Sequence, residues 1–380
     1  MRVAIVSKTF VAATAQRQLE WIARQPGVEL TLITPDAWRS DDGRTLPFVG
    51  QFVEGYAYRR LPVVFNGKYH FYLYRGLRHT LDALRPDLVH IDEEPYNPAG
   101  AQAQRVADRL GAATVFVAWQ NLYRAYPPPF AQLEQYNYAH TAHIIAGNSG
   151  AAEVVRKKGY AGPLSVFSLH GVDPDVYAPR PGSACTDGDF VIGYVGRLVL
   201  YKGIGLLIEA LAGLPATCRL RLVGSGPDEQ RLRELAATQG VADRVDFVAA
   251  VPTTEIPAVL ADLDVLALPS LSQPNWVEQF GRVLIEAMSC GVPVVGSDSG
   301  EIPNVIGDAG FVVPEGDVSA LRRVLAALAD SPGERRRLGR LGRERVLARF
   351  TQEQVAARTA QVYREVLARR PSALAPAGGG

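Results

Sequence analysis

Short apolar runs alternate with amphipathic stretches along the whole chain. In the first half, β-branched runs predict strands at 2–6, 28–33, 88–91, 114–118 and 143–146. Helical spacing of the apolar positions predicts helices at 14–24 and 100–110. Strands that are apolar on both faces are typical of a parallel sheet covered by helices on both sides. The first half is therefore predicted to be a set of βαβ units.

The same alternation returns in the second half. Strands are predicted there at 190–195, 219–223, 245–248, 265–268 and 292–296. The pattern predicts an α/β protein made of two Rossmann-like, doubly wound halves. In open sheets of this kind ligands bind at the carboxyl ends of the strands. We therefore expect the two sheets to face each other across a cleft that holds two substrates.

The stretch 172–187 is rich in proline and glycine, with Pro174, Pro179, Pro181 and Gly182, which is the composition of a linker. We predict an N-terminal domain at 1–175 and a C-terminal domain at 186–350. A last helix at 351–369 is expected to cross back to the first domain. The tail 370–380 consists of small residues and proline, and is expected to be disordered.

Length, charge and cysteine content narrow the class of protein. The 380 residues suit two domains of about 150–200 residues each. The net charge is +1, without the basic excess of a nucleic-acid-binding protein. Three scattered cysteines form neither a disulfide framework nor a metal site. No apolar run reaches the roughly 18 residues of a membrane helix, so we expect a cytoplasmic protein of the size of an enzyme.

The segment from Glu278 to Val295 contains the largest group of candidate functional residues, with Glu278 and Glu286 eight residues apart. A helix is predicted from Gly281 to Cys290, with Glu278 in the loop before it. Free N–H groups at the start of such a helix suit a phosphate, and a glycine there allows close approach. Helical side chains lean toward the N-terminus, so Glu286 would point back to the same place and accept from ribose hydroxyls.

Two further short sequence motifs directly follow predicted strands. Arg197 and Lys202 project after Gly196, and two such cations can neutralise a departing diphosphate. Gly224 and Gly226 form a tight Gly-x-Gly turn, read equally as the wall of a nucleoside pocket or as a purely structural turn. The third glycine of a dinucleotide fingerprint is missing, because position 229 is glutamate.

Together these motifs resemble those of glycosyltransferase family 4, the retaining nucleotide-sugar enzymes of GT-B fold. Gly-Arg-x4-Lys-Gly, Glu-x7-Glu and Gly-Val-Pro-Val-Val occur in the family's order, and 297–303 and 171–177 match its neighbouring loops. The resemblance covers most of the chain and is most specific over 190–315. It implies a GT-B fold, in which 1–175 would be the acceptor-binding domain and 186–350 the nucleotide-sugar donor-binding domain. It also implies catalysis without a metal or another cofactor.

The resemblance also implies roles for particular residues. Arg197 and Lys202 would hold the diphosphate, Glu286 the ribose, and Glu278 the donor sugar. Backbone amides around Phe280 and Gly281 would surround sugar and phosphate. The donor-binding set implied in this way is Gly196, Gly224, Gly226, Phe280, Gly281, Arg282, Val283 and Glu286.

The N-terminal half departs from the family pattern. Family members often carry a Gly-Gly pair after the first strand, where this chain has Ala12 and Ala13. Many also place a histidine where Trp119 stands, followed here by Gln120. A tryptophan offers stacking and one donor but cannot act as a base. The acceptor side is therefore unusual, or another residue serves it.

The remaining acceptor candidates are His90 and Glu93, which end a predicted strand. We weigh them equally as acceptor contacts and as capping or core residues. An aromatic and basic stretch at 67–79 is a weaker candidate for acceptor recognition. Seven arginines at 335–349 predict a solvated helix, with contact to anionic lipid as the minority interpretation. Asp262 and Asp264 look like a metal motif, but we assign them to a helix end and a strand start.

The sequence therefore predicts a metal-independent, retaining hexosyltransferase. It would move a sugar from a nucleotide-diphosphate donor, with UDP favoured over GDP, to an acceptor hydroxyl. Polysaccharide, glycolipid and glycoconjugate products all stay open. Two alternatives are kept, a catalytically idle nucleotide-sugar-binding subunit and an NAD-dependent oxidoreductase. The partners are the donor and an unidentified acceptor, without nucleic acid.

Overall fold

The computed structural model describes residues 1–40, 43–180 and 188–369. The chain divides into two compact units. Unit 1 comprises Met1–Leu169 together with the chain from Gln352 onward, and unit 2 comprises His170–Thr351. The predicted linker residues 181–187 and the predicted tail 370–380 lie outside the described residues.

In the described part of unit 1, the strands are β1 (Arg2–Val6), β2 (Glu29–Pro35), β3 (Ala37–Arg39), β4 (Thr45–Pro47), β5 (Ala57–Leu61), β6 (Val63–Val64), β7 (Leu73–Tyr74), β8 (Leu88–Ile91), β9 (Ala113–Ala118), β10 (His143–Ala146) and β11 (Leu164–Val166). Its helices are α1 (Ala13–Ala23), α2 (Leu77–Leu84), α3 (Pro98–Leu110), α4 (Phe130–His140) and α5 (Ser149–Lys157). A 3₁₀ turn covers Thr9–Val11. The chain's last helix, α13 (Gln352–Ala368), also belongs to this unit.

Unit 2 contains the strands β12 (Phe190–Val195), β13 (Cys218–Val223), β14 (Val245–Val248), β15 (Val265–Leu268), β16 (Val294–Ser297) and β17 (Gly310–Val313). Its helices are α6 (Ile204–Ala212), α7 (Glu229–Thr238), α8 (Ile256–Ala261), α9 (Arg282–Ser289), α10 (Ile302–Ile306), α11 (Val318–Asp330) and α12 (Pro332–Arg349). Two 3₁₀ turns cover Leu200–Lys202 and Ala242–Arg244.

Each unit is built around one parallel sheet. The order is β11-β10-β9-β8-β1-β2-β5 in unit 1 and β14-β13-β12-β15-β16-β17 in unit 2. The central strands are buried along their length, as β8, β9 and β15 illustrate. This burial confirms the prediction of two Rossmann-like, doubly wound domains. In both sheets the strand order reverses direction at one place, between β1 and β8 and between β12 and β15.

The last helix completes the core of unit 1. Along α13, Val355, Ala356, Val362, Tyr363 and Val366 are buried in the same apolar cluster as Leu19 and Ile22 of α1 and the core strands. The Tyr363 hydroxyl lies 2.6 Å from Nδ1 of His90 on β8. Unit 1 is therefore discontinuous in sequence, because all of unit 2 is inserted before α13.

Three of the seven arginines at 335–349 bind backbone carbonyls within unit 2. Arg335 donates to Leu328 and Ala329, and Arg343 donates to Tyr177 and Ser289. Arg345 donates to Asn304 and Val305. These arginines hold α12 against its neighbours, so this helix is not the fully solvated one that its charge predicts. None of the helices in the described ranges combines the length and apolar character needed to cross a bilayer.

Candidate active site

The donor-side residues of unit 2 gather where the strand order reverses. β12 and β15 are neighbours in the sheet, paired at Gly193 and Leu266. The segment after β12 carries Arg197 and Lys202, and the segment after β15 leads to Glu278. Ligands in open α/β sheets bind in the crevice at such a switch point. The fold therefore brings together side chains that lie 76 residues apart in the chain.

An ion pair forms the centre of this group. The Lys202 ammonium lies 2.7 Å from Oε2 of Glu278. The Ser270 hydroxyl donates to the same oxygen at 3.0 Å. Glu278 is buried and Lys202 is half-buried. An ammonium has three N–H donors, so Lys202 can hold Glu278 and still donate to an arriving anion.

Trp276 and Tyr201 line this ion pair, and the sequence reasoning missed both. The Lys202 ammonium lies 4.7 Å from the centre of the Trp276 ring. The Tyr201 ring packs on Trp276 with centroids 4.4 Å apart. A tight turn fixes Trp276, since its backbone N–H and C=O both bond to Gln273. The only available signal was the tryptophan two residues before Glu278.

The start of α9 and the Arg197 side chain offer donors to an anion. Gly281 has φ of +77°, a conformation that favours glycine, and α9 begins at the next residue without a side-chain cap. Within the described residues the backbone N–H groups of Arg282 and Val283 have no acceptor. The exposed Arg197 guanidinium forms no ion pair in the same part of the chain. The arrangement suits a diphosphate.

Glu286 lies one turn into α9, on its buried side. Its carboxylate accepts from Arg282 Nε at 3.0 Å and from the Tyr177 hydroxyl. Burial raises the pKa of Glu286, and the Arg282 guanidinium opposes that shift. A carboxylate with two side-chain donors keeps acceptor capacity for a pair of ribose hydroxyls.

Three of the predicted donor contacts have structural roles. The Phe280 ring is buried between His170 and Phe350, with centroids 5.9 and 5.8 Å away. Only its backbone is left for a ligand. The Gly224 and Gly226 turn is packed on the segment after β12. A Cβ at these positions would lie 1.9 Å from the Gly196 carbonyl oxygen and 2.1 Å from that of Leu198. This close approach explains both glycines without a ligand.

Gly224→Ala is therefore expected to destabilise unit 2 by about 1–3 kcal/mol, because the clash is with backbone that cannot swing away. The matched control is Gly205→Ala in α6, whose Cβ would meet only a Leu235 methyl group at 3.4 Å. Urea denaturation of both variants measures the difference. Equal midpoints for the two variants would contradict the packing explanation.

The two aspartates of the apparent metal motif are used inside the fold. Asp264 accepts from the Val191 backbone N–H at 2.9 Å and pairs with Arg335. Asp262 ends α8 and pairs with Arg180. Over residues 1–40, 43–180 and 188–369 no cluster of three or more histidine, cysteine, aspartate or glutamate side chains could hold a metal ion.

On unit 1, Glu93 lies in a buried cluster at the switch point between β1 and β8. Its carboxylate pairs with Lys8 at 2.5 Å and accepts from Tyr72 and from Asn97. The Lys8 ammonium lies 5.3–5.8 Å from the ring centres of Trp38, Tyr69 and Tyr72. Burial raises the pKa of Glu93, opposed by Lys8. Three donors and its burial leave this carboxylate little capacity for a ligand, which supports a core role.

His90 is also buried. Its ring is bonded to Tyr363, and burial lowers its pKa to about 4. It is neutral near pH 7 and joins β8 to α13, which supports the core role. Ala13 is half-buried and opens α1, whose N-cap residue Ala12 provides no side-chain hydrogen bond.

Trp119 and Gln120 directly follow β9 and are half-buried. Gln120 is engaged within its own loop, because its amide nitrogen donates to the Leu122 carbonyl and its oxygen accepts from Tyr126.

The aromatic and basic stretch 67–79 contains both buried and exposed side chains. Tyr72 and Tyr74 are buried. The exposed side chains, which are the ones that can meet a ligand, are Lys68, Tyr69, His70, Phe71, Arg75, Arg78 and His79.

Comparison with known proteins identifies the chain's family. The model for "Glycosyl transferase 4-like domain" matches residues 11–170, and the model for "Glycosyl transferases group 1" matches residues 180–345. D-inositol 3-phosphate glycosyltransferase of Stackebrandtia nassauensis is 30% identical over 315 residues, which is 75% of this chain and 69% of that protein. MMP alpha-(1->4)-mannosyltransferase of Mycolicibacterium hassiacum is 36% identical over 208 residues, 52% of this chain. The match spans about half (48%) of that relative's length.

Solved structures share the fold. HepE of Anabaena in complex with UDP superposes with a TM-score of 0.73 at 18% identity, covering 96% of this chain and 100% of that one. Sucrose-phosphate synthase of Thermosynechococcus elongatus gives 0.68 at 22% identity, with 97% and 100% coverage. The fold and the matched motifs define a glycosyltransferase of GT-B type. The chain belongs to glycosyltransferase family 4, which decides against the oxidoreductase.

Proposed function

We propose that this glycosyltransferase is a retaining, metal-independent hexosyltransferase that uses a nucleotide-diphosphate sugar and an acceptor hydroxyl. The product would be a polysaccharide, glycolipid or other glycoconjugate. The observation that carries the proposal is the Lys202–Glu278 pair at the switch point of unit 2, beside Arg197 and the uncapped start of α9.

Each group has a part in the proposed reaction. Lys202 and Arg197 neutralise the diphosphate as the bond to the anomeric carbon breaks. The N–H groups at the start of α9 bind a phosphate oxygen, and Glu286 accepts from the ribose. Glu278, held by Ser270, binds a hydroxyl of the donor sugar. In front-face transfer, a departing phosphate oxygen takes the acceptor proton, so the enzyme need supply only charge stabilisation and orientation.

Uridine is our first choice of base and guanosine the second. The Anabaena structure that shares the fold is described as a complex with UDP. Relatives from Mycolicibacterium smegmatis and Corynebacterium glutamicum are described as GDP-mannose-dependent mannosyltransferases, at 36% identity over about half of this chain. Thermal unfolding with UDP, GDP, ADP and TDP and their sugars separates these choices.

We expect one base to raise the melting temperature, since a ligand at 100 times its Kd adds about 2.7 kcal/mol to stability. EDTA should leave the shift unchanged if the site needs no metal. Slow donor hydrolysis without acceptor would rule out an idle binding subunit. A flat response to all four nucleotides, together with no hydrolysis, would overturn the proposal.

A further inference from the structure

Three neighbouring strands of unit 2 end at one edge of the sheet, beside the loop that carries Glu278. β15, β16 and β17 pair in parallel, so their carboxyl ends lie side by side. The loop 269–281 follows β15, Ser299 follows β16, and Glu315 lies two residues after the end of β17. The proposed reaction uses the loop 269–281 but assigns nothing to Glu315.

Glu315 binds Ser272 of this loop with both carboxylate oxygens. Oε2 accepts from the Ser272 backbone N–H and Oε1 accepts from its hydroxyl, both at 2.5 Å. The Glu315 backbone is itself held, because its N–H donates to Oδ1 of Asp298 at 2.8 Å. The hydroxyl of the buried Ser299 lies 3.0 Å from the Ser272 hydroxyl. A carboxylate that accepts two donors of one residue fixes the orientation of that residue as well as its distance.

The two residues before Ser272 contact both sides of the ion pair at the centre of the donor site. The Ser270 hydroxyl donates to the carboxylate of that pair at 3.0 Å. The Leu271 backbone N–H donates to the Tyr201 carbonyl at 2.8 Å, and the next residue in the chain is Lys202. This tripeptide therefore connects Glu315 to the ammonium and to the carboxylate of the pair through two short routes.

We propose that Glu315 is a positioning residue for glycosyl transfer, which keeps the Lys202 ammonium and the Glu278 carboxylate in place by holding Ser272. The inference rests on the proposed function. Residues 272–275 are exposed, and exposed loops are mobile unless hydrogen bonds hold them. A shift of about 1 Å in the reacting groups can cost about a hundredfold in rate, so a contact outside the site can control it.

Glu315→Ala is expected to lower kcat at least about fivefold while the donor KM changes by less than about twofold. The diphosphate would still meet Arg197 and the start of α9, so binding is affected less than the chemical step. Glu315→Gln should restore most of the rate, because its amide oxygen can accept from the Ser272 N–H and its NH2 group can donate to the Ser272 hydroxyl. Transfer, or donor hydrolysis without an acceptor, is measured on the full chain with the donor identified by thermal unfolding.

Asp317→Ala is the matched control, because Asp317 lies two residues further along the same turn. Its carboxylate caps α11 and accepts from the Ala320 backbone N–H at 2.8 Å. Loss of this cap should lower the urea midpoint of unfolding and leave kcat within about twofold of wild type. A kcat reduced as far as in Glu315→Ala would show that loss of stability alone slows the reaction, which would overturn the proposal.

A double-mutant cycle with Glu278→Ala separates positioning from a structural role. In the Glu278→Ala background, Glu315→Ala should cost less than about twofold in kcat, because the pair that it positions is already broken. An equal loss in both backgrounds would overturn the positioning role, as would a wild-type kcat in the single variant. If Glu315→Ala does not fold, Ser272→Ala takes its place in the cycle, since it removes the hydroxyl donor and keeps the carboxylate.

The failure of the proposed function has a different signature. A wild type that neither transfers nor hydrolyses any donor sugar and binds no nucleotide would remove the proposed function, and the positioning role with it. A wild type that hydrolyses donor, together with an unchanged kcat in the Glu315 and Ser272 variants, would remove the positioning role alone.

Discussion

Lys202→Ala is expected to lower kcat by at least about tenfold, equivalent to roughly 1.4 kcal/mol of barrier. The ammonium lies 2.7 Å from Glu278 and over the Trp276 ring, where it would meet the diphosphate as negative charge develops. Removing it takes away stabilisation that is strongest in the transition state. Glu278→Ala should produce a loss of similar size, because Lys202 then has no carboxylate to place it.

Steady-state kinetics with the donor identified by thermal unfolding measures both effects. Arg180→Ala is the matched control, since Arg180 forms an exposed ion pair with Asp262 in the same unit. The double variant should lose less than the sum of the two single losses, because the residues act as a pair. Near-wild-type rates in both single variants would remove the donor-site assignment.

Lys158→Met is expected to destabilise unit 1 by about 3–5 kcal/mol, because it leaves a buried carboxylate without its partner. Lys158 and Glu134 pair at 2.8 Å with side chains only 5% and 7% exposed. Burial already raises the pKa of Glu134, and Lys158 opposes that shift. Without the lysine, ionising Glu134 costs more, so the loss should be larger at pH 8 than at pH 5.

Urea denaturation followed by tryptophan fluorescence measures this loss, because three of the four tryptophans (Trp21, Trp38 and Trp119) lie in unit 1. The double variant Lys158→Met, Glu134→Leu removes both charges and should recover most of the stability. A single variant as stable as wild type would mean that the pair contributes nothing, as is common for exposed ion pairs.

Most of the strands that the sequence predicted well are buried ones. The bounds of β1, β8, β10, β12 and β15 match the predicted runs, since two-sided burial requires continuous apolar residues. The edge strand β14 also matches, because three of its four residues are apolar. The edge strand β5 was missed because four of its five residues are exposed and two are arginines. Its pairing with β2 comes from backbone hydrogen bonds, which leave no hydrophobic pattern.

The candidate site divides in a similar way. The grouping of the proposed donor-side residues could be predicted because they lie in short motifs after strands, so local spacing fixes their placement. The acceptor side could not be predicted in this way. Asp92, Glu93 and Glu94 all follow one strand, and they differ only in the hydrogen-bond and ion-pair partners of their carboxylates. In the structure Asp92 accepts from the Ser7 hydroxyl, Glu93 pairs with Lys8, and Glu94 accepts from two backbone N–H groups. Those partners come from other strands.

Because α13 belongs to unit 1 but is synthesised last, unit 1 can be completed only after all of unit 2 has been synthesised. Unit 2 is continuous in sequence and leaves the exit tunnel before α13, so it can fold while unit 1 still lacks a helix. Until then the faces of α1 and the sheet that cover Val362, Tyr363 and Val366 stay open to water. Nascent unit 1 therefore exposes part of its apolar core until α13 has been synthesised.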